Sequence, residues 1–546
     1  MTLKKAVKYF AIILVGIFVL LIIAVYFVNK DSKYLGNHKI TNGNTATIIL
    51  IDGLDQARFQ NALKKGKLPN LKKLINKGTY IKNGIGSFPS MTGYAFYPFI
   101  TGHDAIESGI IGLRWFDRSL DVGNLRNYVG RTNVWMNQDI TDTIKTFFEL
   151  SGDQYTASIN SFMNKGVADA RITGWTHTTA KFEGKSFIGP LRSIPFAGKE
   201  LAKNHYQHES AVMKMAAEQL EQNPKLQWIA LPSPDATFHV DGMTDYYDNL
   251  VQYIDSLIGD FQVTIDDLGQ NDTRMLAIVT DHGIASVENN IDFLKEAKNK
   301  MGLDFIRGNA VNYRSMQLNE PLSDYVDKDG YFVINGNLCA MLYLRDPSKS
   351  EAESWRSSLS YEYLVDYPYT QFNANSKRIN VAQAIANMDG LEFVIFRKDK
   401  NTIIVKNKEG EATIENLGET YKYTSQSSNP FGYEIALLDT FMNADQWLEK
   451  TINTDYPDAV YRLYSVMDLP IVGDFVLTSK EGYDFAKDYE VIVGNYKGGH
   501  GGVKANQLRV PYILSIPNQE SKKIDHLRSE DVGKIIGDWL GFSENY

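Results

Sequence analysis

The chain has 546 residues, a formal net charge of −8 and a hydrophobic content of 43%. This length is compatible with two or three structural units, and the apolar content is enough for a large packed core and excludes global disorder. The acidic balance excludes the basic footprint of a protein that binds nucleic acid polymers. There is one cysteine, Cys339, so no disulfide can form within the chain, and its apolar surroundings predict a buried core residue.

The N-terminus predicts a membrane anchor. Three lysines precede an apolar stretch from Tyr9 to Val28, and about 20 apolar residues are enough for a helix that spans the hydrocarbon core. The cationic flank is expected to stay in the cytoplasm, and no small-x-small cleavage site follows. We therefore expect an uncleaved, single-pass signal anchor in the cell membrane at residues 1–30, and cleavage of this segment is the alternative. A polar tether at 31–44 and an extracytoplasmic catalytic part are expected to follow.

Alternating strand and helix patterns follow the tether. The first predicted strand is Thr45–Ile51, and helical spacing follows over residues 59–78. The alternation continues to about residue 310, and it resumes late in the chain with a core strand at 509–516 and a closing helix at 529–540. This pattern is typical of an α/β fold with a mostly parallel sheet and helices on both faces.

The pattern changes between residues 330 and 429. Short β-like runs alternate there with two helical segments, at 350–361 and 381–388. Such a mixture predicts an inserted α+β subdomain. The predicted catalytic core therefore consists of residues 45–329 and 430–546.

Acidic and imidazole side chains follow several of the predicted strands. Open α/β folds place their active sites at the carboxyl ends of the strands, where such side chains meet. The six candidate metal ligands are Asp52, Asp235, His239, Asp281, His282 and His500. Asp235 and His239 are predicted to lie in a loop, and His500 lies in a glycine-rich loop. Three Asp and three His provide three ligands for each of two divalent ions, and two-metal sites stabilise both the attacking and the leaving oxygen in phosphoryl displacement.

A candidate nucleophile lies between Ser87 and Tyr94, upstream of a Thr-Gly pair at Thr101 and Gly102. The Phe-Pro-Ser-x-Thr sequence in this segment resembles the nucleophile region of the alkaline phosphatase superfamily and, within it, of the type I phosphodiesterase/nucleotide pyrophosphatase family. The six candidate ligands occur in that family's order. The resemblance therefore covers both predicted parts of the core and implies an alkaline phosphatase-like fold.

The resemblance implies that Thr92 is the nucleophile and forms a phospho-threonine ester, which water then hydrolyses. It also divides the six ligands between two ions, with Asp235, His239 and His500 on one and Asp52, Asp281 and His282 on the other. Imidazole and carboxylate ligands suit Zn²⁺, and Mn²⁺ is also compatible. Ser90 is the alternative nucleophile, but its hydroxyl is predicted to stabilise a turn.

The sequence departs from the family pattern where phosphoryl oxygens are bound. The diesterases carry an asparagine shortly after a Gly-Ile pair, and Leu113 occupies that position here. The adjacent Arg114 is predicted to bind the substrate, because a guanidinium can donate two hydrogen bonds to phosphate, and a solvent-facing side chain is the alternative. Residues 158–162 also lack the Lys-Asp-Arg stretch of some monoesterases, which favours a diester or a phosphonate-like substrate.

The sequence therefore predicts a membrane-anchored, extracytoplasmic two-metal hydrolase of phosphoric esters. The first interpretation is a phosphodiesterase that acts on a small molecule or on a membrane or cell-wall phosphodiester. A phosphomonoesterase of the same superfamily and a non-catalytic metal-binding relative stay open; Leu113 supports the latter, whereas the complete ligand set favours an enzyme. The remaining histidines, among them His205 and His208, are predicted to be surface groups.

Overall fold

The computed structural model describes residues 43–119, 124–129, 136–171, 205–308, 327–350, 353–368, 378–486 and 496–545, together with a few single positions. The chain divides into two compact units, Met1–Lys39 and Ile40–Tyr546, and the elements below belong to the second unit. The predicted anchor lies almost entirely outside the described residues and stays a prediction. Across the described ranges, every helix is too short or too polar to span a bilayer.

The strands are numbered in chain order. They are β1 Thr45–Ile51, β2 Thr79–Ile85, β3 Arg114–Asp117, β4 Asn124–Asn127, β5 Ala157–Ile159, β6 Asp169–Arg171, β7 Leu226–Leu231, β8 Arg274–Val279, β9 Ala285–Asn290, β10 Phe305–Arg307, β11 Gly330–Ile334, β12 Cys339–Leu344, β13 Tyr367–Pro368, β14 Arg378–Ile379, β15 Leu391–Arg397, β16 Thr402–Lys406, β17 Glu411–Asn416, β18 Thr420–Ser425, β19 Phe441–Asn443, β20 Phe475–Ser479, β21 Gly482–Asp484, β22 Gly498–Gly499, β23 Arg509–Ser515 and β24 Lys522–Arg528.

The α-helices are identified by their bounds. They are Gln56–Lys64, Pro69–Lys77, Tyr97–Thr101, Met136–Asp139, Phe147–Leu150, His205–Leu220, Ser233–Asp241, Asp245–Asp267, Phe293–Met301, Tyr361–Val365, Val381–Ala386, Ala444–Thr451, Ala459–Met467, Ala505–Leu508 and Ser529–Leu540.

An eight-stranded sheet carries most of the candidate site residues. Its strand order is β24-β2-β23-β8-β1-β7-β5-β6. β23 is antiparallel to both of its neighbours, β2 and β8, and the other neighbouring pairs of described strands are parallel. The sheet is therefore mostly parallel, and the predicted α/β architecture is confirmed.

Both faces of this sheet are covered by helices. Along β1, Ile48 belongs to one apolar cluster, which includes Ile536 of the C-terminal helix. The next residue, Ile49, belongs to a second cluster, which includes Leu250 of the helix Asp245–Asp267. Successive side chains of a strand point to opposite faces, so an unbroken apolar strand needs apolar partners on both sides.

A second sheet has nine strands in the order β10-β11-β12-β20-β15-β16-β17-β18-β19. β10 and β11 are parallel, and the other neighbouring pairs are antiparallel. This sheet uses strands on both sides of the segment 330–429, since β10 precedes it and β20 follows it. The predicted boundaries at 330 and 429 stay predictions. Three smaller sheets, β3-β4, β13-β14 and β21-β9-β22, account for the other described strands.

The predicted bounds of two elements agree with the structure. The first strand is Thr45–Ile51, and the closing helix is Ser529–Leu540. The helical stretch 59–78 belongs to two helices, because Pro69 has no backbone N–H and starts a second helix. Cys339 is fully buried at the start of β12, as predicted.

The helix predicted at 350–361 is wrong over its described residues. That part of the chain contains a 3₁₀ turn, Glu353–Trp355, and Ser360 then occupies the N-cap position of the short helix Tyr361–Val365. The segment is rich in serine, whose hydroxyl competes for backbone groups and favours turns and caps over helix interiors.

Candidate active site

Four of the predicted ligands belong to segments that directly follow three adjacent parallel strands. Asp52 follows β1, Asp281 and His282 follow β8, and Asp235 lies in the segment after β7. β1 is paired with β7 on one side and with β8 on the other. The carboxyl ends of these strands therefore bring the four side chains to one edge of the sheet.

Asp235 and His239 lie on a helix, Ser233–Asp241, and not in the predicted loop. Pro234 stands in the first turn of this helix, where its missing N–H costs no hydrogen bond. The four-residue spacing places Asp235 and His239 on the same helical face. Nε2 of His239 is 3.1 Å from Oδ2 of Asp235.

His500 reaches the site from the glycine-rich loop. β22, just before it, pairs with β9, and this pairing brings the loop back to the strand that follows the β8 ligands. The His500 ring stacks on the His282 ring with centroids 3.7 Å apart, and its Nε2 lies 3.9 Å from Oδ1 of Asp235. A residue more than 200 positions downstream of the other ligands thus joins the same cluster.

The described residues include two groups of side chains that could each hold a metal ion. The first consists of Asp235, His282 and His500, and the second of Asp52, Asp281 and His282. Within each group the ligand atoms lie within 4.8 Å of one another. His282 is common to both groups, whereas His239 contacts Asp235 beside the first group. The predicted division of the ligands between the two ions stays a prediction.

Hydrogen bonds to backbone carbonyls orient all three imidazoles. Nδ1 of His239 is 2.8 Å from the Gly498 oxygen, Nδ1 of His282 is 3.0 Å from the Gly283 oxygen, and Nδ1 of His500 is 2.7 Å from the Ser90 oxygen. A carbonyl oxygen can only accept, so each Nδ1 must be the donor. In its neutral form each ring would therefore present the lone pair of Nε2, as metal-binding histidines do.

The electrostatics of the cluster favour cations. Burial and then the charge of Asp235 raise the pKa of Asp281 to about 7. Burial and then the charge of Asp281 raise the pKa of Asp52 well above its usual value of 3.8. Burial lowers the pKa of His282 to about 4 and that of His500 to about 3, so both rings are neutral at pH 7. Crowded carboxylates beside neutral imidazoles are a suitable environment for divalent metal ions.

Two buried oxygens in the cluster have no hydrogen-bond partner among the residues that the structure describes. They are Oδ1 of Asp235 and Oδ2 of Asp281. Buried carboxylate oxygens without a partner are costly, and coordination of a metal ion satisfies them. The donor set and these two oxygens therefore fit a pair of divalent ions, with Zn²⁺ or Mn²⁺ compatible by ligand type.

Thr92 lies at the centre of this arrangement. Its Oγ1 is 3.0 Å from Nε2 of His282 and 3.4 Å from Oδ1 of Asp52. The side chain is half-buried, and Gly93, with a φ of 82°, turns the chain into the 3₁₀ turn Tyr94–Phe96. The hydroxyl is thus held against the second ligand group and keeps access to solvent.

The turn after β1 is fixed by contacts that the sequence does not indicate. The buried hydroxyl of Tyr247 donates to the Gly53 oxygen at 2.8 Å and accepts from the Asp55 amide at 3.0 Å. Gly53 has a φ of 65°, and a Cβ there would lie 2.8 Å from Cβ of Asp235. A glycine is therefore required where the Asp52 turn meets the Asp235 helix.

Arg114 and Leu113 contact the second sheet. Arg114 is 1% exposed, and its Nη1 donates to the Ile334 oxygen at 3.2 Å. The amide of Leu113 donates to Oδ1 of Asn335 at 3.0 Å, and Nδ2 of Asn335 donates to the Ile111 oxygen at 2.9 Å. The alternative prediction, that the Arg114 side chain faces solvent, is therefore wrong. Its predicted contact with phosphate stays a prediction.

Two further histidines differ from the prediction. His205 is buried, and its Nδ1 lies 3.1 Å from Oγ1 of Thr237 on the helix that carries Asp235. His208 is also shielded, with Nδ1 3.4 Å from Oγ of Ser233. The prediction that they are surface groups is wrong, because the helix His205–Leu220 packs its first turns against the Asp235 helix.

A comparison with protein-family models identifies the family of this chain. A model of the type I phosphodiesterase/nucleotide pyrophosphatase family matches residues 46–503, which is most of the chain. The protein is therefore a hydrolase of phosphoric esters with a metal-dependent site. It belongs to the type I phosphodiesterase/nucleotide pyrophosphatase family.

A search of solved structures matches this chain to ectonucleotide pyrophosphatases/phosphodiesterases. Human ectonucleotide pyrophosphatase/phosphodiesterase 5 is 12% identical, with a TM-score of 0.48 over 91% of this chain and 95% of that chain. An inactive variant of the murine protein in complex with AMP is 11% identical, with a TM-score of 0.49 over 92% of this chain and 95% of that chain. No curated protein sequence matches this chain.

Proposed function

We propose that this protein is a two-metal phosphodiesterase that acts through a phospho-threonine ester on Thr92. The observation that carries the proposal is the position of the Thr92 hydroxyl, 3.0 Å from His282 and 3.4 Å from Asp52, beside two groups of potential metal ligands. When bound, two divalent cations supply Lewis acidity that lowers the pKa of a hydroxyl and stabilises charge on phosphoryl oxygens.

The chain's own residues would divide the work as follows. Thr92 loses its proton, and its oxygen forms a bond to phosphorus while the bond to the leaving-group oxygen breaks and that oxygen takes up a proton. Water then attacks the phospho-threonine ester, which releases the phosphate product and returns a proton to Thr92. The three backbone-anchored imidazoles and the three carboxylates keep the ligand geometry constant through both steps.

A diester is the proposed substrate class, because the predicted core lacks the Lys-Asp-Arg stretch that would neutralise a monoester dianion. The test compares hydrolysis of bis-p-nitrophenyl phosphate and p-nitrophenyl phosphate by the full-length chain loaded with Zn²⁺ or Mn²⁺. We expect faster cleavage of the diester. Faster cleavage of the monoester would replace the proposal with a phosphomonoesterase. Cleavage of neither with both metals bound would leave an enzyme of narrow specificity or a binding protein.

We also propose that residues 1–30 anchor the protein in the cell membrane, with the catalytic part on the outer side. The support is the apolar stretch from Tyr9 to Val28 behind a cationic flank. The full-length chain should sediment with membranes, and externally added protease should digest its catalytic part in intact cells. A protein found in the soluble fraction, or protected from protease, would contradict this location.

A further inference from the structure

We infer that Ser90 is a positioning residue that fixes the metal ligand His500 relative to the nucleophile Thr92. Ser90 precedes Thr92 by two residues and is fully buried. The proposed reaction does not use its hydroxyl. The inference rests on the proposed function, because it assigns His500 and Thr92 to one catalytic centre.

Ser90 makes three hydrogen bonds to three successive residues of the glycine-rich loop. Its backbone oxygen accepts from Nδ1 of His500 at 2.7 Å. Its Oγ accepts from the Gly501 amide at 2.9 Å and donates to the Gly502 oxygen at 3.1 Å. One residue of the nucleophile loop thus orients the His500 ring and also holds the backbone on which that ring is carried.

These bonds leave the Ser90 hydroxyl unsuitable as a nucleophile. Its proton is engaged with the Gly502 oxygen, and the Gly501 amide occupies the oxygen from another side. A fully buried hydroxyl with both roles satisfied cannot approach a phosphorus atom without breaking this network. The prediction that Ser90 stabilises a turn is therefore extended to a link between two distant loops.

The link has a consequence for the two ligand groups. Thr92 lies against the group that contains Asp52, whereas His500 belongs to the group that contains Asp235. In-line displacement requires the two ions at a fixed distance from the attacking oxygen. Ser90 contacts the backbone beside His500 and stands two residues from Thr92, so it sets the spacing between the two groups.

The loop leaves little room for an alternative position. Gly501 has a φ of 114°, and a Cβ there would lie 3.1 Å from the Asn335 oxygen of the second sheet. The His500 oxygen also accepts from the Leu338 amide at 2.9 Å. The loop is therefore held between the β11–β12 turn on one side and Ser90 on the other.

The test is the variant Ser90→Ala in the full-length chain, measured by competition with a chromogenic zinc chelator. Ser90→Ala keeps the backbone oxygen that accepts from His500 and removes only the hydroxyl that holds the Gly501 and Gly502 backbone. We therefore expect the zinc dissociation constant of the site that contains His500 to rise by about tenfold, the lower end of the range for loss of a contact around a metal ligand. The other constant should stay unchanged. With saturating zinc, kcat for bis-p-nitrophenyl phosphate should fall while KM stays within about twofold.

Ser87→Ala is the matched control. Ser87 lies three residues earlier in the same loop, is equally buried, and its hydroxyl has no partner in the described part of the chain. Its removal should change neither zinc constant. If Ser90→Ala does not fold, Ser90→Cys fills the same space with a weaker acceptor and should shift the same constant in the same direction.

Two zinc constants equal to those of the wild-type chain in Ser90→Ala would overturn the inference and leave the proposed function standing. A rise in both constants by the same factor, or the same rise in Ser87→Ala, would also overturn it, since either result indicates general loosening of the loop. A wild-type chain that binds two zinc ions but cleaves no diester would contradict the proposed function alone, because the zinc measurement does not depend on turnover.

Discussion

The two large sheets contribute to the candidate site in different ways. The eight-stranded sheet supplies side chains with chemical roles, which follow β1, β7 and β8 at one edge. The nine-stranded sheet supplies the β11–β12 turn, which contacts the site through hydrogen bonds: Leu338 holds the His500 oxygen, and Asn335 holds the backbone around Leu113.

The difference follows from strand direction. Parallel strands end at the same edge, so residues that follow several of them converge and can share an ion. In an antiparallel sheet neighbouring strands end at opposite edges. The second sheet therefore contacts the site through one turn between two strands, the β11–β12 turn. The candidate metal ligands are therefore concentrated at the first sheet, and the second sheet supplies hydrogen bonds that support the site. Substitutions at the first sheet should change turnover and bound metal, whereas substitutions at the second should change mainly the stability of the fold.

The largest expected effect is that of Thr92→Ala in the first region. Loss of the proposed nucleophile should lower turnover of bis-p-nitrophenyl phosphate by at least about 10³-fold, because the hydroxyl that attacks phosphorus in the proposed reaction is removed. Bound zinc, measured by elemental analysis, should stay at the wild-type value. Thr92→Ser keeps the hydroxyl and should retain much of the activity, and an active Thr92→Ala chain would refute the assignment.

Asp281→Asn should separate function from stability. It removes the charge of a candidate metal ligand, so bound metal and turnover should both fall, with turnover reduced by about a hundredfold. In the metal-free protein, by contrast, the substitution should raise the stability of the fold at neutral and higher pH. The pKa of Asp281 is raised from 3.8 to about 7, so its favourable contribution is complete below pH 4 and is lost as the pH rises to 7.

Metal-free Asp281→Asn should therefore unfold at a higher temperature than the wild-type chain at pH 8. At pH 4 the two melting temperatures should differ less. Differential scanning calorimetry in the presence of a chelator measures both. A lower melting temperature for the variant at pH 8 would show that the carboxylate is paired in a way the cluster geometry does not indicate.

Arg114→Ala examines the border between the two regions. If the guanidinium holds phosphoryl oxygens, KM for the diester should rise by about tenfold, which corresponds to the loss of a hydrogen bond to a charged group. Bound metal should not change. An unchanged KM together with a lower melting temperature would identify Arg114 as a structural link to the Ile334 oxygen of β11.

The sequence was sufficient to predict that the candidate ligands converge, because most of their segments follow an apolar strand or belong to a glycine-rich turn. Asp52 comes directly after β1, and Asp281 lies one residue beyond the end of β8. The alternation of strands and helices predicts parallel strands, and parallel strands place both residues at one edge. The helix that carries Asp235 was not predicted, because two prolines around Ser233 are typical of a turn. In this case proline starts the helix instead.

The supporting contacts could not be predicted from the sequence. The hydroxyls of Ser90 and Tyr247 bond to backbone groups, which every residue carries, so no residue pattern marks their partners. The antiparallel direction of β23 is also invisible in its apolar run, since periodicity shows burial and not direction. The periodicity of the apolar residues also does not indicate that the turn after β11 contacts the His500 loop.

The smallest expected effect is that of Asn335→Ala, in the turn of the second sheet. Asn335 is fully buried, and its amide group satisfies the Leu113 amide and the Ile111 oxygen. Its removal leaves both backbone groups unpaired, so the free energy of unfolding should fall by about 1–3 kcal/mol. Bound metal and KM should stay near their wild-type values, because the turn carries no ligand.

Asn337→Ala is the control in the same turn. Asn337 is also buried, but its Nδ2 has no hydrogen-bond partner among the described residues. Its replacement should therefore cost less stability than that of Asn335, as urea denaturation of the two variants would measure. Loss of bound metal in Asn335→Ala would contradict the comparison. Such a result would mean that the second sheet helps to hold the ions through the His500 loop, so that metal binding and structural support could not be assigned to separate sheets.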